Sequence, residues 1–95
     1  MKSLVFTPAA QSDMEAIWDY TVENWGLDQA ERYADDIRYV CHDLASGCRQ
    51  GRPVDVRPGY LKYLIGSHVV FFRDHCDQLE VVRILHGRMD VDRHL

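Results

Sequence analysis

The sequence predicts an α+β domain with the order β-α-α-β-β-β, in which a helical hairpin packs on a small, mainly antiparallel sheet. Three observations predict this fold. Apolar residues recur at helical spacing in two stretches between Pro8 and Ala45. So few residues separate the stretches, around Gly26, that the two helices must be antiparallel neighbours. Three β-prone segments then follow between residues 60 and 86, with tight turns between them.

The first strand is predicted over residues 2–6, and the first helix follows it at once. Thr7 is a good N-cap, and Pro8 suits the first helical position because its missing N–H would have no intrahelical partner there. Gly26 is expected to end this helix in a left-handed conformation. The apolar face of the helix is expected to consist of Ala10, Met14, Ile17, Trp18, Thr21, Val22 and Trp25.

The second helix is predicted from Asp28 to about Ala45. Asp28 and Glu31, three residues apart, form a pattern similar to a capping box. Gly47 is expected to end the helix. Its buried face is expected to consist of Ala30, Tyr33, Ala34, Ile37, Val40, Cys41 and Leu44.

A long loop rich in arginine, glycine and proline is predicted over residues 48–59. Three strands should follow in an antiparallel meander, over residues 60–65, 68–73 and 79–86. Successive apolar positions in the second and third strands are typical of strands covered on both faces over part of their length. All 95 residues make one domain, residues 1–95, near the lower end of the size range that folds without metals or disulfides.

Arg83 is a charged residue within the apolar last strand. Strict alternation places it on one face with Leu79, Val81 and Leu85. A charge among apolar neighbours needs an anionic partner. That partner is either a carboxylate of the helices or the phosphate of a ligand.

Charge is distributed unevenly along the chain. Residues 1–48 carry a net charge of −6, whereas residues 49–95 carry +2 and four of the five histidines. The second half therefore forms either ordinary solvated faces or a basic face for an acidic partner or a phosphate. The overall charge of −4 argues against stable, sequence-independent binding to duplex DNA by the chain alone.

The three cysteines lack the paired spacing of metal or redox sites, so we expect reduced thiols, with Cys41 in the core. A metal site built from Cys41, His42 and Cys48 is the alternative. We predict no metal and no cofactor. No apolar run is long enough for a membrane helix or placed like a signal peptide, so we expect a cytoplasmic protein without a membrane partner.

The end of the last strand is where acid–base chemistry is conceivable. His86 is followed by Arg88, Arg93 and His94. A histidine beside phosphate-binding groups is the minimum for cleaving RNA through its 2′-hydroxyl.

This tail supplies no second acid/base, and the nearest tyrosines, Tyr60 and Tyr63, belong to another strand. The alternative is a short capping turn over residues 88–95 whose side chains pair with Asp90 and Asp92. We prefer this second interpretation and predict no catalytic residues.

Aromatic side chains of the helices form another candidate surface. Trp18 and Trp25 are seven residues apart on one helical face, and Tyr33 and Tyr39 belong to the next helix. Such residues at helical spacing are usually core. Alternatively, they line a groove of the hairpin that is open to a partner's helix or strand, since Trp and Tyr are common interface anchors.

The order and spacing of several segments resemble a known family over nearly the whole chain, from about Phe6 to Leu95. The segments are Ile17–Thr21, Trp25–Gly26, Gln29–Ala30, Gly51–Arg52, Gly59–Tyr60, Gly66–Arg73 and Val82–Asp90. Together they are similar to the ParE toxins of bacterial toxin–antitoxin modules, in the RelE/ParE superfamily.

The resemblance implies a RelE/ParE-like fold and a toxin that poisons DNA gyrase. It also implies neutralisation by a ParD-like antitoxin in a hetero-oligomer, with the antitoxin's C-terminal segment over the hairpin and sheet. The residues that we expect to bind partners are Trp18, Trp25, Tyr33, Arg73, Arg83, His86, Arg88 and Arg93.

Two other functions remain open. The related RelE toxins are ribosome-dependent mRNA endonucleases, and on that hypothesis Arg73 and Arg83 bind phosphate while His86 is the acid/base. The missing tyrosine in the tail favours the gyrase-directed branch. A toxin that has lost its activity and only binds its antitoxin is the third possibility.

Overall fold

A computed structural model of the protein describes residues 2–55, 57–89 and 91–95. The elements are β1 (Ser3–Phe6), α1 (Pro8–Trp25), α2 (Leu27–Ser46), β2 (Arg52–Pro53), β3 (Leu61–Ile65), β4 (His68–Asp74), β5 (Gln78–His86) and α3 (Val91–His94). The strands form one sheet in the order β1-β5-β4-β3-β2. All neighbouring strands are antiparallel except β1 and β5, which are parallel. The predicted α+β class is confirmed.

The helical hairpin begins after Thr7 and ends at Gly47, as the sequence predicts. The Thr7 hydroxyl accepts a hydrogen bond from the Ala10 amide at 3.1 Å, with Pro8 in the first helical position. Gly26 ends α1 as predicted, but the predicted left-handed conformation is wrong: at φ +92° and ψ 171° its ψ is extended, because the same residue is the N-cap of α2. No side-chain cap stands at the start of α2, so the predicted capping box at Asp28 is not formed. Gly47 ends α2 in the left-handed conformation.

The core lies in two layers, one on each face of the sheet. On the hairpin side, strand residues such as Phe72 and Leu79 pack against Ile37 and Cys41 of α2. On the opposite side, a smaller cluster consists of Val54, Phe71 and Leu85, with Tyr60, Val69, Val91 and Leu95 packed against it. The prediction that β4 and β5 are covered on both faces over part of their length is thereby confirmed.

The ladder between β4 and β5 slips by one residue, which leaves Val82 as an extra residue on β5. Leu79 and Ile84 consequently both pack on the hairpin side, whereas Leu85 packs on the other. The predicted alternation, which puts Leu85 on the face of Leu79, is therefore wrong. A period of two holds only up to Val81.

Two short elements lie in segments predicted as a loop and a turn. β2 falls within the predicted loop 48–59 and pairs with β3. α3 falls within the predicted capping turn, where Val91 and Leu95 pack on the second core cluster. The predicted pairing of this turn with Asp90 and Asp92 concerns side chains outside the described part of the chain.

The prediction of a buried thiol at Cys41 is confirmed, and burial raises the pKa of this thiol to about 12. Cys48 and Cys76 are exposed free thiols. No three metal-ligating side chains within residues 2–55, 57–89 and 91–95 converge so as to hold a metal ion. None of the helices described is long and apolar enough to cross a bilayer.

Candidate partner-binding site

An open groove of about 580 Å³ lies between the helical hairpin and the ends of β4 and β5. We call it the hairpin groove. Its main side chains are Tyr20, Trp25, Tyr33, His68, His86 and Met89. Trp25 and Tyr20 are 71% and 63% exposed, so the wall formed by α1 is largely aromatic surface in contact with solvent.

The exposure of Trp25 follows from its position at the end of α1. Thr21 and Ile17, one and two turns earlier, are buried in the hairpin. Trp25 is the last residue of the helix and is not part of the buried core. Its interpretation as a core residue is therefore wrong, and the alternative of an open groove describes it correctly.

At one end of the groove, the Tyr33 hydroxyl of α2 forms hydrogen bonds with the β3–β4 turn and with His68. Its hydroxyl lies 2.6 Å from Nδ1 of His68 and 3.2 Å from the Ile65 carbonyl oxygen, and it accepts the Ser67 N–H at 3.3 Å. Burial raises the pKa of Tyr33, and the charge of Asp36 raises it further, whereas the bond from Ser67 lowers it. The phenol is therefore a neutral hydrogen-bonding group at neutral pH.

His68 and His86 lie directly opposite each other on β4 and β5. Their ring centroids are 5.5 Å apart and the rings are nearly perpendicular, at 82°. Burial lowers the pKa of His68 and the neighbouring His86 lowers it further, whereas Asp13 raises it. His68 is consequently neutral at pH 7.

The tautomer of His86 follows from a local backbone bond. Its Nδ1 lies 3.1 Å from the Arg88 backbone N–H, which donates to it. Neutral His86 therefore carries its proton on Nε2. From there it can donate a hydrogen bond to a carboxylate or a carbonyl oxygen of a partner.

Arg83 has the carboxylate partner that the sequence predicts. Its Nε and Nη2 donate to the two oxygens of Asp13 at 2.8 and 2.9 Å, and Nη1 donates to the His94 carbonyl oxygen at 3.0 Å. The hydrogen bonds to Asp13 raise the pKa of Arg83. The guanidinium fork, which is the group that binds a phosphate in two-point fashion, is thus already occupied within the chain.

This ion pair lies beside the part of β5 that extends beyond β1. β4 pairs with β5 on one side as far as His86, but β1 ends at Phe6, so on its other side β5 has no strand beyond Val81. The first turns of α1 replace that strand: the Thr7 hydroxyl donates to the Val82 carbonyl oxygen at 2.7 Å, and Asp13 accepts the Ile84 N–H at 2.9 Å. Asp13 is therefore both an ion-pair partner and a substitute for a strand acceptor.

The other predicted partner-binding residues lie apart from the groove. Trp18 lines a separate groove on the hairpin with Ala34 and Arg38, so the two tryptophans do not border one groove as predicted. Arg73 lies over the Tyr60 ring, 5.4 Å from its centroid. Arg88 is exposed in the turn after β5, and Arg93 is exposed on α3. Of the eight predicted residues, the groove brings together Trp25, Tyr33 and His86.

Three of the main side chains of the groove, Tyr20, His68 and Met89, are not among the residues predicted from the sequence. His68 carries a usable signal, because it follows a Gly-Ser turn and so begins a strand of the meander. Its position opposite His86 depends on the β4–β5 register. The sequence does not give that register.

Comparisons with known proteins agree with this architecture. The family model described as ParE toxin of type II toxin-antitoxin system, parDE, matches residues 4–91. Toxin ParE1 of Mycobacterium tuberculosis is 46% identical over 93 residues, which are 96% of this chain and 95% of that protein. Toxin ParE1 of Caulobacter vibrioides is 34% identical, over 100% of this chain and 99% of that protein.

A solved structure gives the same result. The structure titled as the chromosomal ParDE TA system from P. aeruginosa superposes with a TM-score of 0.79 at 27% identity, over 90% of this chain and 96% of the other. The family match, the identities and the fold agree with one another, and the predicted family is confirmed: the chain belongs to the ParE toxins of type II toxin–antitoxin systems, in the RelE/ParE superfamily.

Proposed function

We propose that this chain poisons DNA gyrase by binding it, without catalytic residues of its own, and that a ParD-like antitoxin neutralises it. Membership of the ParE family supports the target and the antitoxin. The observation that carries the choice of binding over RNA cleavage is the bidentate pair of Arg83 with Asp13, which occupies the guanidinium that the nuclease hypothesis assigns to phosphate.

The other groups of the nuclease hypothesis stand too far apart to act together. Arg73 and His68 are five residues apart on β4, which corresponds to about 17 Å, and His86 lies beside His68. Tyr60 packs against Arg73, and the Tyr63 hydroxyl accepts a hydrogen bond from Arg49 at 2.8 Å. Neither tyrosine is available to His86.

The hairpin groove has acid–base groups, but Arg88 lines the adjoining cleft, which shares His68 and His86, rather than the groove itself. Tyr33, His68 and His86 line it, whereas the lining that the structure describes contains no arginine or lysine. Cleavage of RNA needs positive charge aimed at the phosphate where negative charge develops. The groove is better suited to a partner's apolar side chain, with His86 donating to a nearby carboxylate or carbonyl oxygen. We assign it to the antitoxin.

Expression of the chain alone in bacteria tests the function. We expect growth arrest with filamentation and DNA damage, and accumulation of linear plasmid when the purified chain is incubated with gyrase and supercoiled DNA. His86→Ala should leave linearisation within about twofold of the unaltered chain, because no step of the chemistry needs that side chain. Removing an acid/base from a nuclease instead lowers its rate on the order of 10²-fold.

His42→Ala is the matched control, because His42 is exposed on α2 away from the groove. Cleaved mRNA with intact chromosomes, lost on His86→Ala but not on His42→Ala, would instead establish the nuclease. If the chain causes no growth arrest but binds its antitoxin, it is a toxin that has lost its activity.

A further inference from the structure

Three cations stand together on the sheet face opposite the hairpin, and we call them the basic sheet face: Arg52, Lys62 and Arg73. Arg52 of β2 and Lys62 of β3 are direct cross-strand neighbours, so their Cβ atoms lie about 5 Å apart on one face. Lys62 is opposite Phe71 of β4, which packs in the cluster away from the hairpin. Arg73 lies two residues further along β4, on the same face and diagonal to Lys62.

Like charges directly opposite each other destabilise a sheet. Within the described residues, neither Arg52 nor Lys62 has a carboxylate within ion-pair distance, since the pairs that form use other cations. Arg52 and Arg73 are exposed and Lys62 is half-buried. Arg73 is directly opposite Glu80 of β5, so the uncompensated charge is that of Arg52 and Lys62. In a chain of net charge −4, these two like charges side by side are what an external polyanion would stabilise.

We propose that the basic sheet face contacts the phosphate backbone of the DNA segment that gyrase holds. The inference rests on the proposed function, gyrase poisoning. Duplex DNA presents one negative charge per about 1.7 Å of its axis, so it can meet at the same time three cations of which the middle one, Lys62, is about 5 Å from Arg52 and about 7–8 Å from Arg73 at Cβ. A single carboxylate of a protein partner would meet one of them.

Three phosphate contacts are too few to hold DNA alone, which agrees with the acidic overall charge. They become effective when gyrase holds the toxin and the DNA together, because the second contact is then intramolecular. The hairpin groove lies on the other side of the sheet, so a partner in the groove leaves the basic sheet face accessible.

The test is the salt dependence of gyrase-mediated linearisation. The toxin concentration that gives half-maximal linear plasmid is measured with the purified chain between 50 and 200 mM salt, for the unaltered chain and for Arg52→Gln/Lys62→Gln. Over this range three phosphate contacts weaken binding about 40-fold and one contact about 4-fold. We expect the variant to need more toxin at 50 mM salt, with a log–log salt slope shallower by about 1.8.

Two control variants separate charge from other effects. Arg52→Lys/Lys62→Arg keeps both charges and should behave as the unaltered chain does. Arg32→Gln removes one charge from an exposed position of α2, on the other side of the sheet, and should leave the slope unchanged. The salt dependence of gyrase itself is common to all variants and cancels in the comparison.

Each outcome separates the two proposals. A glutamine variant with an unaltered concentration and slope overturns the DNA contact and leaves gyrase poisoning intact. If the glutamine variant needs a higher toxin concentration but keeps the salt slope of the unaltered chain, the DNA contact is also overturned, because the basic sheet face then contacts gyrase protein. An unaltered chain that linearises no plasmid overturns the proposed function and this inference with it. Should the double variant melt earlier, Lys62→Gln alone serves as the test, with an expected slope change of about 0.9.

Discussion

Asp13 makes three hydrogen bonds to β5, two with the Arg83 guanidinium and one with the Ile84 amide. The side chains of Asp13 and Arg83 are 14% and 23% exposed, so the pair is only partly screened by water. One carboxylate therefore joins the first helix to the last strand. It also accepts a hydrogen bond from the Ile84 backbone amide, which has no strand beside it on that side to supply an acceptor.

Asp13→Ala should lower the free energy of unfolding by about 2–3 kcal/mol, because it leaves a partly buried guanidinium and an amide without their acceptor. Asp13→Asn keeps an acceptor for Ile84 and should lose less. Urea denaturation measures both. Asp19→Ala, on the exposed side of the same helix, is the control and should stay within about 0.5 kcal/mol. Equal losses for Asp13→Ala and Asp19→Ala would contradict the role of the pair.

At the residue scale, the sequence predicts the kind of partner that Arg83 needs but not the position of that partner. Apolar neighbours required an anion, and the acidic helices offered many. Selecting Asp13 depends on how α1 crosses the sheet edge, which no local pattern encodes. The same limit explains Trp25, whose helical periodicity is that of a core residue although it is not buried.

The β3–β4 turn is the element that shapes the hairpin groove. Gly66 occupies it at φ +54°, and a Cβ there would lie 2.7 Å from the Tyr33 hydroxyl oxygen. The turn thus meets two requirements at once: a backbone conformation that suits glycine, and room for the tyrosine that bonds to His68.

Gly66→Ala should destabilise the fold by about 2 kcal/mol, since it combines backbone strain with displacement of Tyr33. Gly59→Ala is the matched control. Gly59 also has a positive φ, +86°, but a Cβ there meets nothing within 4 Å, so only the backbone contribution of about 1 kcal/mol is expected. Thermal or urea unfolding of the two variants measures the difference. Losses of the same size would show that the contact with Tyr33 contributes nothing.

The elements of this fold differ in how far the sequence predicts them. The helices were predicted because periodicity, Thr7 and the glycine stops agree with one another. The bulge at Val82 is not predicted, because an extra residue within a run of apolar residues does not change the apolar pattern of the sequence. β2 was missed because it has two residues, one of them Pro53. The parallel pairing of β1 with β5 depends on tertiary contacts rather than on local pattern.

At the scale of the whole molecule, the two halves of the chain become two layers of opposite character. The hairpin layer, residues 8–46, carries nine carboxylates and two arginines. The sheet layer carries the basic sheet face on its far side. The charge asymmetry predicted from the sequence is therefore a division in space. It separates the surface proposed for the antitoxin from the surface proposed for DNA.

Trp25→Ala should weaken binding of a ParD-like antitoxin by about 2 kcal/mol, which is about 30-fold, because aromatic anchors dominate interfaces of this kind. The free chain should keep its stability, since Trp25 is 71% exposed. Titration calorimetry against the antitoxin measures the change. Tyr39→Ala provides a close match: Tyr39 is 72% exposed but lies outside the hairpin groove, and its loss should leave the affinity unaltered. If the two variants weakened antitoxin binding equally, the hairpin groove would not be the antitoxin's binding site.

The parallel pairing of β1 with β5 also sets a sequence of events during synthesis. Ser3 pairs with Gln78 and Phe6 with Val81, so the chain must be made as far as Gln78–Val81 before the first strand finds its neighbour. Contacts of such long range form late, after local ones such as the helical hairpin. The helical wall of the hairpin groove, formed by Tyr20, Trp25 and Tyr33, is therefore in place before His68 and His86 of the sheet join it. Of the surface proposed for the antitoxin, that wall is the part present while the sheet is still open.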